Sequence, residues 1–319
     1  MPIPTPRAVP TPFPTFDSLP LDKSGPPGNA WGLFGPNDQL GMLNLITPET
    51  VRAAAKEEIR EGIRIPLDWP LNKPAFPTFA REKFHHEIQN KSPQPGVSMN
   101  DDVVHFNTQS STQWDGFRHY GYQKAKKHFN GHTQADFENG GTALGINSWV
   151  ESGGIVGRGV LLDWASWAED NGILVRPFQT GAVEVSHLKA IVAEQKIQSR
   201  PGDILFIRCG FAAAYNRLSI DEQQAFPDRQ PSGLLGIEAT KESLRWLWEN
   251  QFAAAAGDSP SFERGPANGP YNDPDVTMHQ WMLGGWGMPI GEMFDLEDLA
   301  KECKRLGRNT FFLSSMPLH

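Results

Sequence analysis

The chain has 319 residues, 39% of them hydrophobic and 21% charged, which describes a globular protein with length enough for a substantial core. Its formal net charge of -8 excludes nucleic acid and anionic membrane surface as main partners. Two cysteines, Cys209 and Cys303, are too few for a disulfide framework or a cysteine-based zinc site.

Residues 1–30 are rich in proline and glycine and read as an extended arm, lying on the surface or on a partner subunit; residues 31–319 read as one domain. The N-terminus lacks the basic start and apolar run of a secretory leader. No stretch approaches the about 18 apolar residues of a membrane span. The expected compartment is the cytoplasm.

"TPETVRAAAKEEIREG" (47–62) predicts a helix, with Thr47 as N-cap, Pro48 in the first turn and Gly62 at the end. "IRIPLDWPL" (63–71) predicts a strand running into prolines, and "DDVVHFNTQ" (101–109) a second strand. Buried strands are expected within 157–167 and 202–211, a short one at 252–258 and a last one at "NTFFLSSM". Helices are expected at 185–197, capped by Ser186, at 237–251, and at 295–307, capped by Asp295. Helices alternating with apolar strands in the second half argue for the α/β class, and no internal repeat is visible.

"GGIVGRG" (153–159) imitates a dinucleotide fingerprint, but its glycines precede a strand instead of following one, so no nucleotide cofactor is expected. "TQSSTQWDGFRH" (108–119) is a dense polar cluster. Asp115 and His119 are four residues apart, which suits a shared ion or acid-base work; the plainer alternative is a turn in which Asp115 caps a helix and His119 packs in a wall. In "MHQWMLGGWGMPIGEMFDL" (278–296), Glu292 stands among apolar residues, where a carboxylate needs a counter-charge, a metal or a proton. "AAAAGDSPSFE" places Asp258 at the C-terminal end of a strand, where α/β folds bind ligands.

These segments, with "WGLFGPNDQLGMLNLITPETV", "RGVLLDW" and "PGDILFIRCG", resemble the metal-dependent cyclases and kynurenine formamidase-like hydrolases, a family that includes isatin hydrolase. The resemblance is nearest to a branch carrying the string TQWDG. The family motif is His-x-Gly-Thr-His-x-Asp-x-Pro-x-His. Its first His falls on Gln109, its Gly and Thr on Ser111 and Thr112, its second His on Gln113, its Asp on Asp115, its Pro on Phe117 and its last His on His119. A downstream His and Glu match His279 and Glu292.

The resemblance implies a swivelling β/β/α-type fold with a mixed sheet and flanking helices, and a homodimer. It implies a metal centre of Asp115, His279 and Glu292, joined by Gln113 and Gln109, with His119 moving the proton. One divalent ion is expected, manganese or zinc, with magnesium a third candidate. Amide oxygens in place of two imidazoles harden the donor set toward manganese or magnesium and weaken affinity. Trp114, Phe117, Trp281 and Trp286 are expected to wall a pocket for a flat small molecule, with Asp258 beside it. The implied activity is hydrolysis of an amide, lactam or lactone by a metal-activated water. The rivals are a metal-independent acid-base cyclase or lyase, and a binding protein on a hydrolase scaffold. Relatives run on past the last strand, so a shortened C-terminus is expected.

Overall fold

The computed structural model describes residues 9–92, 97–266 and 277–318. Its strands, in chain order, are β1 (His85–Asn90), β2 (Asn100–His105), β3 (Gln113–Asp115), β4 (Ile155–Leu162), β5 (Gly181–Val183), β6 (Ile204–Ile207), β7 (Leu235–Ile237), β8 (Ala254–Gly257), β9 (Ile290–Glu292) and β10 (Thr310–Ser315). The helices are α1 (Pro48–Glu58), α2 (Asn147–Glu151), α3 (Trp164–Asp170), α4 (Val185–Glu194), α5 (Phe211–Asn216), α6 (Ile220–Ala225), α7 (Lys241–Glu249) and α8 (Glu297–Leu306).

The central sheet runs β10-β4-β6-β8-β9-β3. Its four middle strands are parallel, and the two outer strands are antiparallel to their neighbours. Strands buried on both faces must be apolar throughout, and "ILFI" of β6 and "AAAG" of β8 are. Helix α1 packs on β4 and β10, while α4 packs on β4 and against α3 and α7. β1 with β2, and β5 with β7, form separate two-stranded sheets. This is the expected α/β architecture, with one mixed sheet and flanking helices.

Two helix ends fall where local signals put them. Thr47 caps α1 by accepting the Thr50 N–H at 3.3 Å, in a reciprocal pair with the Thr50 hydroxyl. Gly307, in the left-handed region at φ 62°, ends α8. Four expectations are corrected. Residues 63–71 form no strand, because Pro66 and Pro70 cannot donate to a ladder. Glu184, not Ser186, precedes α4, and the Ser186 hydroxyl donates to the Glu184 side chain at 3.1 Å. The helix placed at 237–251 begins only at Lys241 under a Thr240 cap, because Leu235–Ile237 pairs with β5. Asp295 lies one residue before the α8 cap position and accepts the Glu297 N–H at 3.2 Å.

The N-terminal segment from residue 9 lies on the chain's own core. Phe13 packs on Trp248, Phe16 stacks on Trp281, and Asp17 pairs with Arg245. Among the described residues, no helix is long and apolar enough to cross a membrane.

Candidate metal centre

β3 is three residues long and sits at the sheet edge, antiparallel to β9. Alternation puts Gln113 and Asp115 on one face. The register sets Gln113 directly opposite Glu292 and Trp114 opposite Gly291. Gly291 is required there. A Cβ would stand 2.6 Å from the Ala256 Cβ and 2.9 Å from the Trp114 ring. This close approach brings β3 against β9, and with it Asp115 toward Glu292.

After β3 the chain turns, and His119 N donates to Gly116 O at 2.9 Å. The turn returns the His119 ring toward Asp115, with Nε2 3.9 Å from Asp115 Oδ2. His279 stands in a helical segment that begins at Met278 and continues as a π-helical turn, Gln280–Trp286. Such turns recur at functional sites. His279 Nε2 lies 3.6 Å from Asp115 Oδ2 and 3.3 Å from Glu292 Oε1. The donor atoms of Asp115, His119 and His279 all fall within 4.8 Å of one another. Asp115 is fully buried, whereas the His119 side chain stays 28% exposed.

Glu263 orients this centre. It accepts from His279 Nδ1 at 2.6 Å and from the backbone N–H of Met278 and His279 at 2.8 and 3.1 Å. It therefore anchors the start of the helical segment and holds a proton on Nδ1. Nε2 is left to face the two carboxylates, as in carboxylate–histidine–metal arrangements. Glu263 closes the stretch "AAAAGDSPSFE", in which sequence reasoning chose Asp258 instead. Asp258 is fully buried and accepts the backbone N–H of Cys209, Gly210 and Phe211 at 2.6, 2.7 and 2.8 Å. It ties the β6–α5 turn and does not line the cavity.

The two glutamines turn their amide nitrogens to the carboxylates. Gln109 Nε2 donates to Asp115 Oδ1 at 2.6 Å, and Gln113 Nε2 donates to Glu292 Oε2 at 2.9 Å. Gln109 O and Oε1 both accept from Arg81, at 2.5 and 3.4 Å. Gln109, expected as a ligand, thus acts in this structure as a donor that positions Asp115. Among the described residues, Asp115 Oδ2 and Gln113 Oε1 are buried without a hydrogen-bond partner. Buried acceptors left open need a reason, and a cation is one. The His279 imidazole, the buried Asp115 carboxylate and these open oxygens, with His119 close by, make a donor set suited to a divalent ion.

The charges are interdependent. Burial, then the Asp115 charge, pushes the Glu292 carboxyl up to about 7. Burial works against ionised Asp115 too, but the facing His279 and His119 imidazoles hold it below the usual carboxylate range. Burial holds His119 below the usual imidazole range. His279 is also desolvated, yet the carboxylates of Asp115, Glu263 and Glu292 raise it well above that range.

A cavity of about 440 Å³ opens beside the imidazoles, lined by His119, His279, Glu292 and Glu263 with Phe79, Tyr120 and Arg81 among others. The four aromatics expected around it are elsewhere. Trp114 packs edge-on to Phe294 and Phe206 and donates to Ser315 Oγ at 3.0 Å. Phe117 is buried against Phe129 and Trp149. Trp281 meets Phe16 and Trp286, and Trp286 meets Trp248. All four are core. Phe79 and Arg81 come from an irregular segment with no pattern to read. Phe79 and Ala80 both adopt left-handed φ, 59° and 54°, which is strain of the kind found at binding sites.

Residues 41–264 match the family described as "Putative cyclase". A crystal structure described as a novel cyclase is 30% identical, covers 91% of this chain and 94% of its own, and aligns with a TM-score of 0.78. The chain belongs to the cyclase family. Isatin hydrolase A from Ralstonia solanacearum shares the fold at 16% identity and a TM-score of 0.51, over 80% of this chain and 88% of that one. No curated protein matches. The family match includes β3 and ends before His279 and Glu292.

Proposed function

We propose that the protein is a metal-dependent hydrolase of the cyclase family, opening an amide, lactam or lactone bond of a small cyclic or aromatic substrate. The observation that carries this is the open Asp115 Oδ2 facing Nε2 of both His119 and His279. Asp115 and His279 would hold one divalent ion, manganese or zinc, with Glu292 and the Gln113 oxygen beside them. Such an ion supplies Lewis acidity, polarising a carbonyl and lowering the pKa of a water.

The chain's own groups do the rest. Glu263 fixes the His279 tautomer, and Gln109 and Gln113 orient the two carboxylates by donation. His119 faces the cavity and is partly open, so it can take the proton from the attacking water. The water oxygen bonds to the carbonyl carbon, the C–N or C–O bond breaks, and His119 returns its proton to the leaving group. Phe79 and Tyr120 offer flat apolar walls. The same reading has the chain act as a homodimer on a small molecule.

Elemental analysis of the purified protein, before and after incubation with manganese, tests this. Near-stoichiometric metal that is lost in Asp115→Asn, with turnover of an amide, lactone or formanilide, is the expected result. Metal-free protein that turns over the same panel after chelation would replace it with an acid-base reading. That second reading draws on one observation, a Glu292 carboxyl raised to about 7 beside an ionised Asp115.

A further inference from the structure

Two guanidinium groups line the cavity, Arg81 and Arg264, and their situations differ. Arg81 is committed to Gln109 through both a backbone and a side-chain oxygen. Arg264 is anchored by its main chain, whose N–H donates to Ile237 O at 2.9 Å. Its Nε is shut away from solvent with no acceptor among the described residues.

The acids of the same wall do not serve it. Glu263 is occupied by His279 Nδ1 and two backbone N–H groups. Glu292 takes the Gln113 amide and faces His279 Nε2. A guanidinium that lines a cavity, with no acceptor at its Nε, is a charged group that a bound anion can pair with. The acceptor that fits is planar and anionic. Two carboxylate oxygens match the paired N–H bonds of an arginine guanidinium, in register and in charge. Leu234, Pro260 and Pro266 stand in the same wall and give an apolar body somewhere to lie.

We propose that Arg264 sets substrate specificity: the substrate is a carboxylate-bearing amide or lactone, whose carboxylate docks on the Arg264 guanidinium in the cavity wall while its scissile carbonyl reaches the Asp115–His119–His279 centre. This deepens the hydrolase reading and rests on it for the identity of the scissile bond. Arg264 recognises the end of the substrate that does not react. Its loss therefore weakens binding and leaves the chemical step alone.

The test uses full-length manganese-loaded protein and aryl amides that differ only in the anion: 2-formamidobenzoate and 4-formamidobenzoate against formanilide. In the wild type, KM for the better of the two acids is expected to be about ten- to a hundredfold below that for formanilide. Arg264→Gln is expected to erase that gap with kcat within about twofold and formanilide kinetics unchanged, and Arg264→Lys to restore part of it. An absent gap in the wild type overturns the proposal. So does an equal loss on acid and neutral substrates in Arg264→Gln, which assigns Arg264 to holding its loop. Calorimetric titration with benzoate and benzamide separates this from the hydrolase reading. If no amide is turned over but benzoate binds the wild type and not Arg264→Gln, the hydrolase reading fails and the anion site stands. Benzoate that binds both forms equally, or neither, overturns the anion site.

Discussion

His119 and Asp115 are four residues apart, and their convergence was legible because a turn can aim both side chains at one point. The plainer alternative fails on geometry, since Asp115 takes the Gln109 amide and caps no helix. His119 is the more distant and more exposed of the two imidazoles. His119→Ala should therefore cost about 10²–10⁴-fold in kcat while leaving metal content nearly unchanged, a pair of readings that assay and elemental analysis supply together. Glu263 makes the opposite prediction. Glu263→Gln loosens the hold on His279 Nδ1 and should weaken metal affinity by about 10–100-fold, measured by competition with a chromophoric chelator. Unchanged affinity would remove Glu263 from the site. Glu263 was hard to read because nothing local marks a glutamate whose partner lies sixteen residues away.

At the scale of elements, caps and apolar runs announced α1, α8, β6 and β8, since each is governed by hydrogen bonds and burial within its own few residues. β3 and β9 were invisible. Three residues are too few for a period to show, and both exist only through pairing with strands distant in the chain. Their closeness depends on Gly291, where even a methyl group meets Ala256, Phe294 and Trp114. Gly291→Ala should lower stability by ~1–3 kcal/mol in urea denaturation, the usual range for overpacking. Metal affinity should fall with it, because β3 carries Asp115. A variant as stable as the wild type with intact metal binding would show that β3 and β9 can separate without harm.

Across the whole molecule, the N-terminal segment supports the centre from behind. Trp31 Nε1 donates to Gly284 O at 2.8 Å, Trp286 Nε1 to Gly28 O at 3.0 Å, and Ala30 N to Gly285 O at 3.0 Å. Phe16 stacks on Trp281, with ring centroids 5.6 Å apart. The π-helical turn that follows His279 is thus bound to residues more than 250 positions earlier. Phe16→Ala should cost about 3–5 kcal/mol in denaturant titration, the range for emptying an aromatic site in a core. A cost below about 1 kcal/mol would mean that the segment rests on the surface without bearing on the core.

By itself the sequence determined the α/β class, the start of α1 at its Thr47 cap, the likeness to the cyclases and the candidates Asp115, His119, His279 and Glu292, because each is written in neighbouring side chains or in a linear motif. Only the tertiary structure decided that the glutamines donate to the carboxylates, that Glu263 steers His279, that Asp258 and the four expected aromatics belong to turns and core, and that Arg81 and Arg264 wall the cavity. Those outcomes depend on which side chains meet across strand pairs and loops distant in the chain. A residue's chemistry is local, but its partners are chosen by packing.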